Sequence, residues 1–223
     1  MNISIIMPTV NEAGGIEAAM KALRSFRMHG AEIVVADGNS SDGTADLARA
    51  FADRVVSGQR GRAVQMNDGA AAASGDVLLF LHADTRLPDN ADRLVLDGLK
   101  GSGKVWGRFN VAIDGGPRLV ACAMNLRSRM TGICTGDQAL FMTRDAFDKA
   151  GGFPEIALME DITMSAKLKR LGRPLCLKAR VTTSGRRWRQ HGVWRTVLLM
   201  WSLRLRYFFG ADPAKLARAY GYR

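Results

Sequence analysis

The sequence predicts a single α/β domain: a mostly parallel sheet with helices on its faces. Three features of the chain predict it. Short apolar runs of strand length alternate with segments of helical period from the N-terminus to residue 85, the pattern of parallel strands joined by right-handed crossovers. The polar, glycine-rich segments PTVNE, DGNSSDGT and HADT fall where those runs end. In open parallel sheets that edge is where ligands bind. Finally, 223 residues that are 47% hydrophobic, with no internal repeat and no low-complexity tract, suit one core of ordinary size.

Ser4 to Met7 is a β-branched run stopped by Pro8, a buried first strand. Asn11 is placed to cap the helix that follows, in which Ile16, Met20, Leu23 and Phe26 recur at helical spacing. Ile33-Val34-Val35 is a second strand running into Asp37-Gly38, and Asp42-Gly43-Thr44 opens another helix. Val55-Val56 is a short third strand. Arg62 to Ala73 is an alanine-rich helix stopped by Ser74-Gly75. Val77 to Leu81 is a continuous apolar strand, expected at the centre of the sheet, ending at His82-Ala83-Asp84.

After Pro88 the pattern changes. Arg108 to Ile113 and Ala139 to Thr143 read as strands, separated by a helical stretch from Leu119 to Met130. Met159 to Leu171 is an amphipathic helix with acids at its start, where the macrodipole favours them. Val193 to Phe209 is apolar apart from Arg195, Ser202, Arg204 and Arg206, and Arg195, Ser202 and Arg206 form one narrow stripe on a helical wheel. Such a segment is too short and too charged to span a bilayer. Two readings suit it: a helix lying in a membrane interface, anchored by Trp194, Trp201, Tyr207 and Phe208, or a helix packed on the domain itself or on a second subunit.

The net charge of +11 is unevenly spread. Residues 1–100 are net −3, whereas residues 162–223 hold 15 basic side chains and one acid, Asp212. The tail therefore wants an anionic partner: a nucleotide pyrophosphate, an anionic membrane surface or a nucleic acid. No nucleic-acid recognition motif accompanies the basic stretch, so nucleic acid is not expected. MNISIIMPTVNE lacks the basic region and long apolar run of a signal peptide. Cys122, Cys134 and Cys176 form neither a CxxC pair nor a disulfide framework, and read as reduced thiols in a cytoplasm.

Several residues suit chemistry at the strand ends. Asp37 can accept from a base N–H or a ribose hydroxyl, and Gly38 lets the backbone approach a ligand. No GxGxxG and no GxxxxGK[ST] is present, which disfavours a dinucleotide site and excludes a P-loop. Asp84 offers a hard oxygen for a divalent cation that bridges two phosphates. Glu160-Asp161 is a second acidic locus, and a carboxylate there can take a proton from an attacking hydroxyl. Arg60, Arg62, Arg186, Arg187 and Arg189 are candidate phosphate contacts, with Trp188 and His191 in the same basic stretch.

Taken together, PTVNE at 8–12, DGNSSDGT at 37–44, FLHADT at 80–85, Gly136-Asp137-Gln138, Glu160-Asp161 and RRW at 186–188 resemble the family-2 glycosyltransferases, in order and in spacing. More narrowly, the chain resembles the small bacterial transferases described as radical-SAM/selenodomain-associated. The resemblance implies a single GT-A domain over 1–190, a Rossmann-like sheet flanked by helices; the basic helical tail over 191–223, read from its charge and helical pattern, is expected to bind a membrane interface or form a dimer. It implies that Thr9, Glu12 and Asp37 hold the base and ribose of a uridine nucleotide sugar, with Pro8, Gly38, Ser40, Asp137 and Gln138 on the same site. Asp84 is then the acid of a DxD motif that faces Mg²⁺ or Mn²⁺, Asp161 the catalytic base with Glu160 beside it, and Arg187 and Trp188 contacts to the pyrophosphate. One departure stands out: the first acid of DxD is His82 here.

The implied reaction is a single displacement with inversion onto an acceptor hydroxyl, on a lipid-type acceptor if the tail lies on the inner face of the cell membrane. Two other classes remain. A sugar nucleotidyltransferase would show a glycine-rich loop with a basic residue after the first strand, and PTVNE is not one. A non-catalytic basic module would dock on membrane or nucleic acid and leave nucleotide sugars intact.

Overall fold

This computed structural model describes residues 1–221; positions 222–223, the end of the expected tail, lie outside the described residues. The described residues form one α/β domain around an eight-stranded sheet. Strands β1 (Ile3–Thr9), β2 (Glu32–Asp37), β3 (Arg54–Ser57) and β4 (Val77–Phe80) run parallel. The chain lays β2 and β3 outward on one side of β1, then returns to place β4 on the other side. That reversal leaves a crevice beyond the carboxyl ends of β1 and β4, the usual ligand site of such sheets. β4 is buried throughout and β1 nearly so, which is why both read as continuous apolar runs.

Helices α1 (Ala13–Ala22), α2 (Arg24–Met28), α3 (Thr44–Arg49) and α4 (Arg62–Ala72) connect these strands. The single helix expected over Ile16 to Phe26 is two, broken at Leu23, yet all four periodic side chains stay buried. Asn11 does not cap α1. It sits at φ 53°, and its side-chain oxygen accepts from the Ser41 backbone N–H. The cap comes instead from the loop after β2: Ala13 N donates to Asp42 Oδ2 at 3.0 Å, and Glu12 N to Thr44 Oγ1 at 2.8 Å. These bonds fix the two loops to each other.

The second half begins with β5 (Thr85–Arg86), α5 (Ala91–Ser102), β6 (Trp106–Asp114) and α6 (Arg118–Thr131). A 3-10 turn at Gly136–Gln138 precedes β7 (Phe141–Thr143), α7 (Arg144–Lys149), α8 (Glu160–Leu168) and β8 (Leu175–Ser184). The antiparallel β7 joins β4 to β6, and β8 pairs parallel with β6. The chain ends with α9 (Arg186–His191), α10 (Val193–Phe208) and α11 (Pro213–Tyr220).

Alternate residues of the strands feed two cores. Ile5, Met7, Ile33, Val35 and Leu79 pack under α1 and α5, while Ile6, Val34, Leu78 and Phe80 pack under α4 and α8. A third cluster joins Leu158 and Met159, just before α8, to Leu203 of α10 and to Leu216 and Ala217 of α11. The tail helices are thereby mounted beside α8. Cys134 is buried in the second core, and burial pushes its thiol up to about 12, which makes it inert.

Candidate active site

The crevice is framed by loops that hold their shape through side-chain to backbone bonds. Asp37 is 2% exposed and accepts from Thr9 Oγ1 at 3.1 Å, from Ser40 N at 2.8 Å and from Ser40 Oγ at 2.5 Å. Gln65, on α4 and equally buried, donates to the Thr9 carbonyl at 2.7 Å and to the Ala36 carbonyl at 2.9 Å. One amide therefore ties the ends of β1 and β2 together. Its bulk also explains Gly38, where a Cβ would meet Val10 at 2.8 Å and Gln65 at 3.0 Å.

Charges converge across the crevice. Glu12 is half-buried: burial lifts its pKa, nearby Asp84 and Asp42 lift it further, and the Arg186 guanidinium only partly offsets them. Glu12, Asp84 and Arg186 are thus neighbours, although they follow β1, β4 and β8 in the chain. Asp84 is exposed, and its backbone carbonyl accepts from Ser184 N at 3.1 Å, which fixes the end of β8 beside it.

On the other side of β4 lies the acidic head of α8. Asp161 accepts from Gly136 N at 2.8 Å and from Ile162 N at 2.7 Å. Burial and the Glu160 carboxylate push its pKa up to about 6, against the pull of those two N–H groups and of Arg62. Glu160 is 3% exposed and pairs with Arg62 at 3.2 Å. Met159, immediately before, sits at φ 75°, uncommon for a side chain of its size, and is buried in the cluster that includes Leu203. His82, Gly136, Glu160 and Asp161 line one small cleft with Met66, Phe80, Leu140 and Phe153. Gly136 fits only because it lacks a Cβ, which would strike the His82 ring. His82 Nδ1 lies 3.4 Å from Asp137 Oδ1, while its buried Nε2 has no hydrogen-bond partner among the described residues. Burial alone would lift Asp137, but His82 and Arg62 outweigh it and hold the carboxyl below its ordinary value.

The arrangement offers a carboxylate that is ionised at neutral pH yet basic enough to take a proton, across a cleft from cations able to face phosphate. The model of the family described as Glycosyl transferase family 2 matches residues 4–151, from β1 past α7. The chain belongs to glycosyl transferase family 2. Its relatives include the probable glycosyltransferase YdaM of Bacillus subtilis (strain 168), 26% identical over 198 residues, covering 76% of this chain and 47% of that protein. The poly-beta-1,6-N-acetyl-D-glucosamine synthase of Staphylococcus epidermidis is also 26% identical, over 86% of this chain and 53% of its own length. The chain thus spans about half the length of these relatives. Among solved structures, mannosyltransferase PcManGT from Pyrobaculum calidifontis, in complex with GDP-Man and Mn²⁺, has a TM-score of 0.69 at 21% identity, covering 99% of this chain and 69% of that one. S. aureus TarS 1-349 in complex with UDP has a TM-score of 0.68 at 20% identity, covering 82% and 60%. These two likenesses concern the fold.

In this family 2 domain Thr9, Glu12, Asp37, Ser40 and Asp84 gather at the crevice, and Arg62, Asp137, Glu160 and Asp161 at the adjoining cleft. Pro8 does not stop β1, which runs through it to Thr9 with Pro8 opposite Ala36, and Arg60 is exposed in the loop leading to α4. Two residues expected at the donor are engaged elsewhere. Gln138 is fully buried and gives its amide to Ser128 Oγ at 3.0 Å, so it holds the Gly136–Gln138 turn from behind. Arg187 stacks on the Tyr220 ring at 3.7 Å and donates to the Tyr220 carbonyl at 2.6 Å, so it ties α9 to α11. Arg186, one residue earlier, is the one that neighbours Glu12. Trp188 is half-buried on the same short helix. Gln65 was missed by the sequence reading; a lone amide on the buried face of an alanine-rich helix was the available signal.

For a divalent cation the exposed carboxylate here is that of Asp84, beside the Thr85 hydroxyl at 3.4 Å and close to Glu12. Among the described residues no three His, Cys, Asp or Glu side chains group as a metal site, and His82 turns toward Asp137. This donor set fits an ion shared with a diphosphate rather than one held by the protein alone.

Proposed function

We propose that the chain is an inverting glycosyltransferase that moves a sugar from a uridine-diphosphate sugar to an acceptor hydroxyl, of the radical-SAM/selenodomain-associated kind. The observation that carries this reading is Asp161: a half-buried carboxylate at the head of α8, held by two backbone N–H groups, with a pKa of about 6. A general base needs that combination of fixed geometry and matched basicity. In the proposed reaction Asp161 takes the acceptor's hydroxyl proton, and the oxygen attacks the anomeric carbon. The bond to the diphosphate breaks on the opposite face, and the nucleoside diphosphate leaves. Thr9, Glu12, Asp37 and Ser40 hold the nucleoside end, while Arg186, Arg60 and Arg62 face the developing phosphate charge. Mg²⁺ or Mn²⁺, held by Asp84 and the diphosphate, would supply Lewis-acid stabilisation of the leaving group. The mannosyltransferase and TarS structures of the same fold, in complex with GDP-Man plus Mn²⁺ and with UDP, are consistent with this.

We further infer that the acceptor is lipid-linked and that the enzyme works peripherally on the inner membrane face, because the tail is so strongly basic. A panel of nucleotide sugars read by nucleotide release, with product mass spectrometry on lipid extracts, tests the function. UDP released from at least one UDP-sugar, and lost in Asp161→Asn, supports the reading. No turnover with any donor, with and without extract, refutes it.

A further inference from the structure

The two sides of α10 differ sharply. On one side Thr196 and Leu203 are buried, and Leu203 packs against Met159, the residue before Glu160 and Asp161. On the same side the Tyr207 hydroxyl lies 2.6 Å from Thr163 Oγ1 of α8. The helix is thereby fastened to the element that carries the proposed base. On the other side Trp194, Leu198, Trp201, Leu205 and Phe208 recur at intervals of four and three, which aligns them along one stripe. All five are exposed, Trp194 at 80% and Trp201 at 72%.

A continuous apolar stripe of this kind marks an interaction surface, and its charged borders choose among partners. The charged residues of α10 are the exposed Arg195 and Arg206 and the half-buried Arg204, and the only acid after Asp161 is Asp212. The four-three spacing is also that of a coiled-coil seam, but two copies would set arginine against arginine with no carboxylate between them. A bilayer with anionic headgroups complements both features, taking the tryptophan rings at headgroup depth and the arginines at its surface. Among the described residues no helix is long and apolar enough to cross a membrane, so α10 would lie in the interface.

We propose that α10 docks in the surface of an anionic bilayer through this stripe, and that its fastening to α8 holds Asp161 close to that surface, where the acceptor hydroxyl is carried by a membrane lipid. The second half rests on the transferase reading; the docking itself does not. The test is flotation of the full chain with phosphatidylcholine vesicles, with and without phosphatidylglycerol, alongside sedimentation without lipid and UDP-sugar hydrolysis in solution. Binding is expected only with phosphatidylglycerol and at low salt. Trp194→Ala with Trp201→Ala should lower the partition roughly tenfold or more, and Arg195→Gln or Arg206→Gln about fivefold each. Solution hydrolysis should be unchanged in these variants, which also shows that they fold. A wild type that stays soluble with anionic vesicles overturns the docking, as does a dimer that the tryptophan variant dissociates without any vesicle binding. Vesicle binding without turnover of any donor, with and without lipid extract, would leave the docking standing and overturn the transferase reading.

Discussion

Asp161→Asn should make the protein more stable at alkaline pH while nearly abolishing turnover. In the folded chain burial and Glu160 push the carboxyl up to about 6, whereas an unfolded aspartate titrates near 3.9. The native state therefore holds a proton that the unfolded state has already released, and stability falls as pH rises through that window. The difference corresponds to ~3 kcal/mol, reduced by solvent screening at this partly exposed side chain to roughly 1–2 kcal/mol. Asparagine does not ionise, so it removes this cost. It also keeps one acceptor oxygen where aspartate offers two to Gly136 N and Ile162 N, a loss of about 1 kcal/mol at every pH. The pH-dependent part is separable. Urea unfolding at about pH 8 and about pH 4.5 should show the variant gaining roughly 1–2 kcal/mol on the wild type between the two conditions. Nucleotide release should fall at least ~100-fold, and wild-type turnover should rise with pH through about 6. A stability difference that does not change with pH, together with wild-type turnover, would refute both the elevated carboxyl and its role as base.

Other residues give separate tests. Gln65→Leu leaves the Thr9 and Ala36 carbonyls without the amide that ties them; it should cost about 2–4 kcal/mol in urea unfolding, and a cost near zero would show that the tie is dispensable. Arg186→Ala should raise the donor KM with little change in melting temperature, while Arg187→Ala should lower the melting temperature by roughly 2–6 °C with little change in KM; the reverse outcome would return Arg187 to the donor. Asp84→Ala should bring UDP affinity in Mn²⁺ down to the wild-type level in EDTA by calorimetry, and metal without nucleotide should bind neither protein; equal wild-type affinity in EDTA would show that arginines hold the diphosphate unaided.

The parallel half of the fold was legible because β1, β2 and β4 are buried on both faces and announce themselves as apolar runs, while the partly covered β3 still carries Val55-Val56. β8 was not. Its ten residues, LCLKARVTTS, carry Lys178 and Arg180 and are only partly covered, so the pattern has no continuous apolar signal. What makes it a strand is its ladder with β6, from Gly107 to Asp114, a pairing that no local window contains. Helix capping failed for the same reason. Asn11 has the chemistry of a cap, but Asp42 and Thr44 arrive from 30 residues away in the folded chain and take the α1 backbone N–H groups.

The site shows the same division between local chemistry and long-range placement. The acids stand out in the sequence because carboxylates at strand ends and at the head of a helix have few structural uses, so Asp84 and Asp161 were visible. Arginines are harder, since each can serve a phosphate or a carbonyl. In α9 consecutive side chains point about 100° apart, so the pair Arg186-Arg187 sends one guanidinium toward Glu12 and the other onto the Tyr220 ring. Sequence position cannot distinguish their neighbours; the docking of α11 does, by offering Tyr220 to Arg187. The tail that holds Arg187 on Tyr220 also places Leu203 in one cluster with Met159, two residues before Asp161. Its basic charge and its apolar stripe therefore stand next to the proposed base through direct packing, and a contact made by the exposed stripe bears on the helix that carries that base.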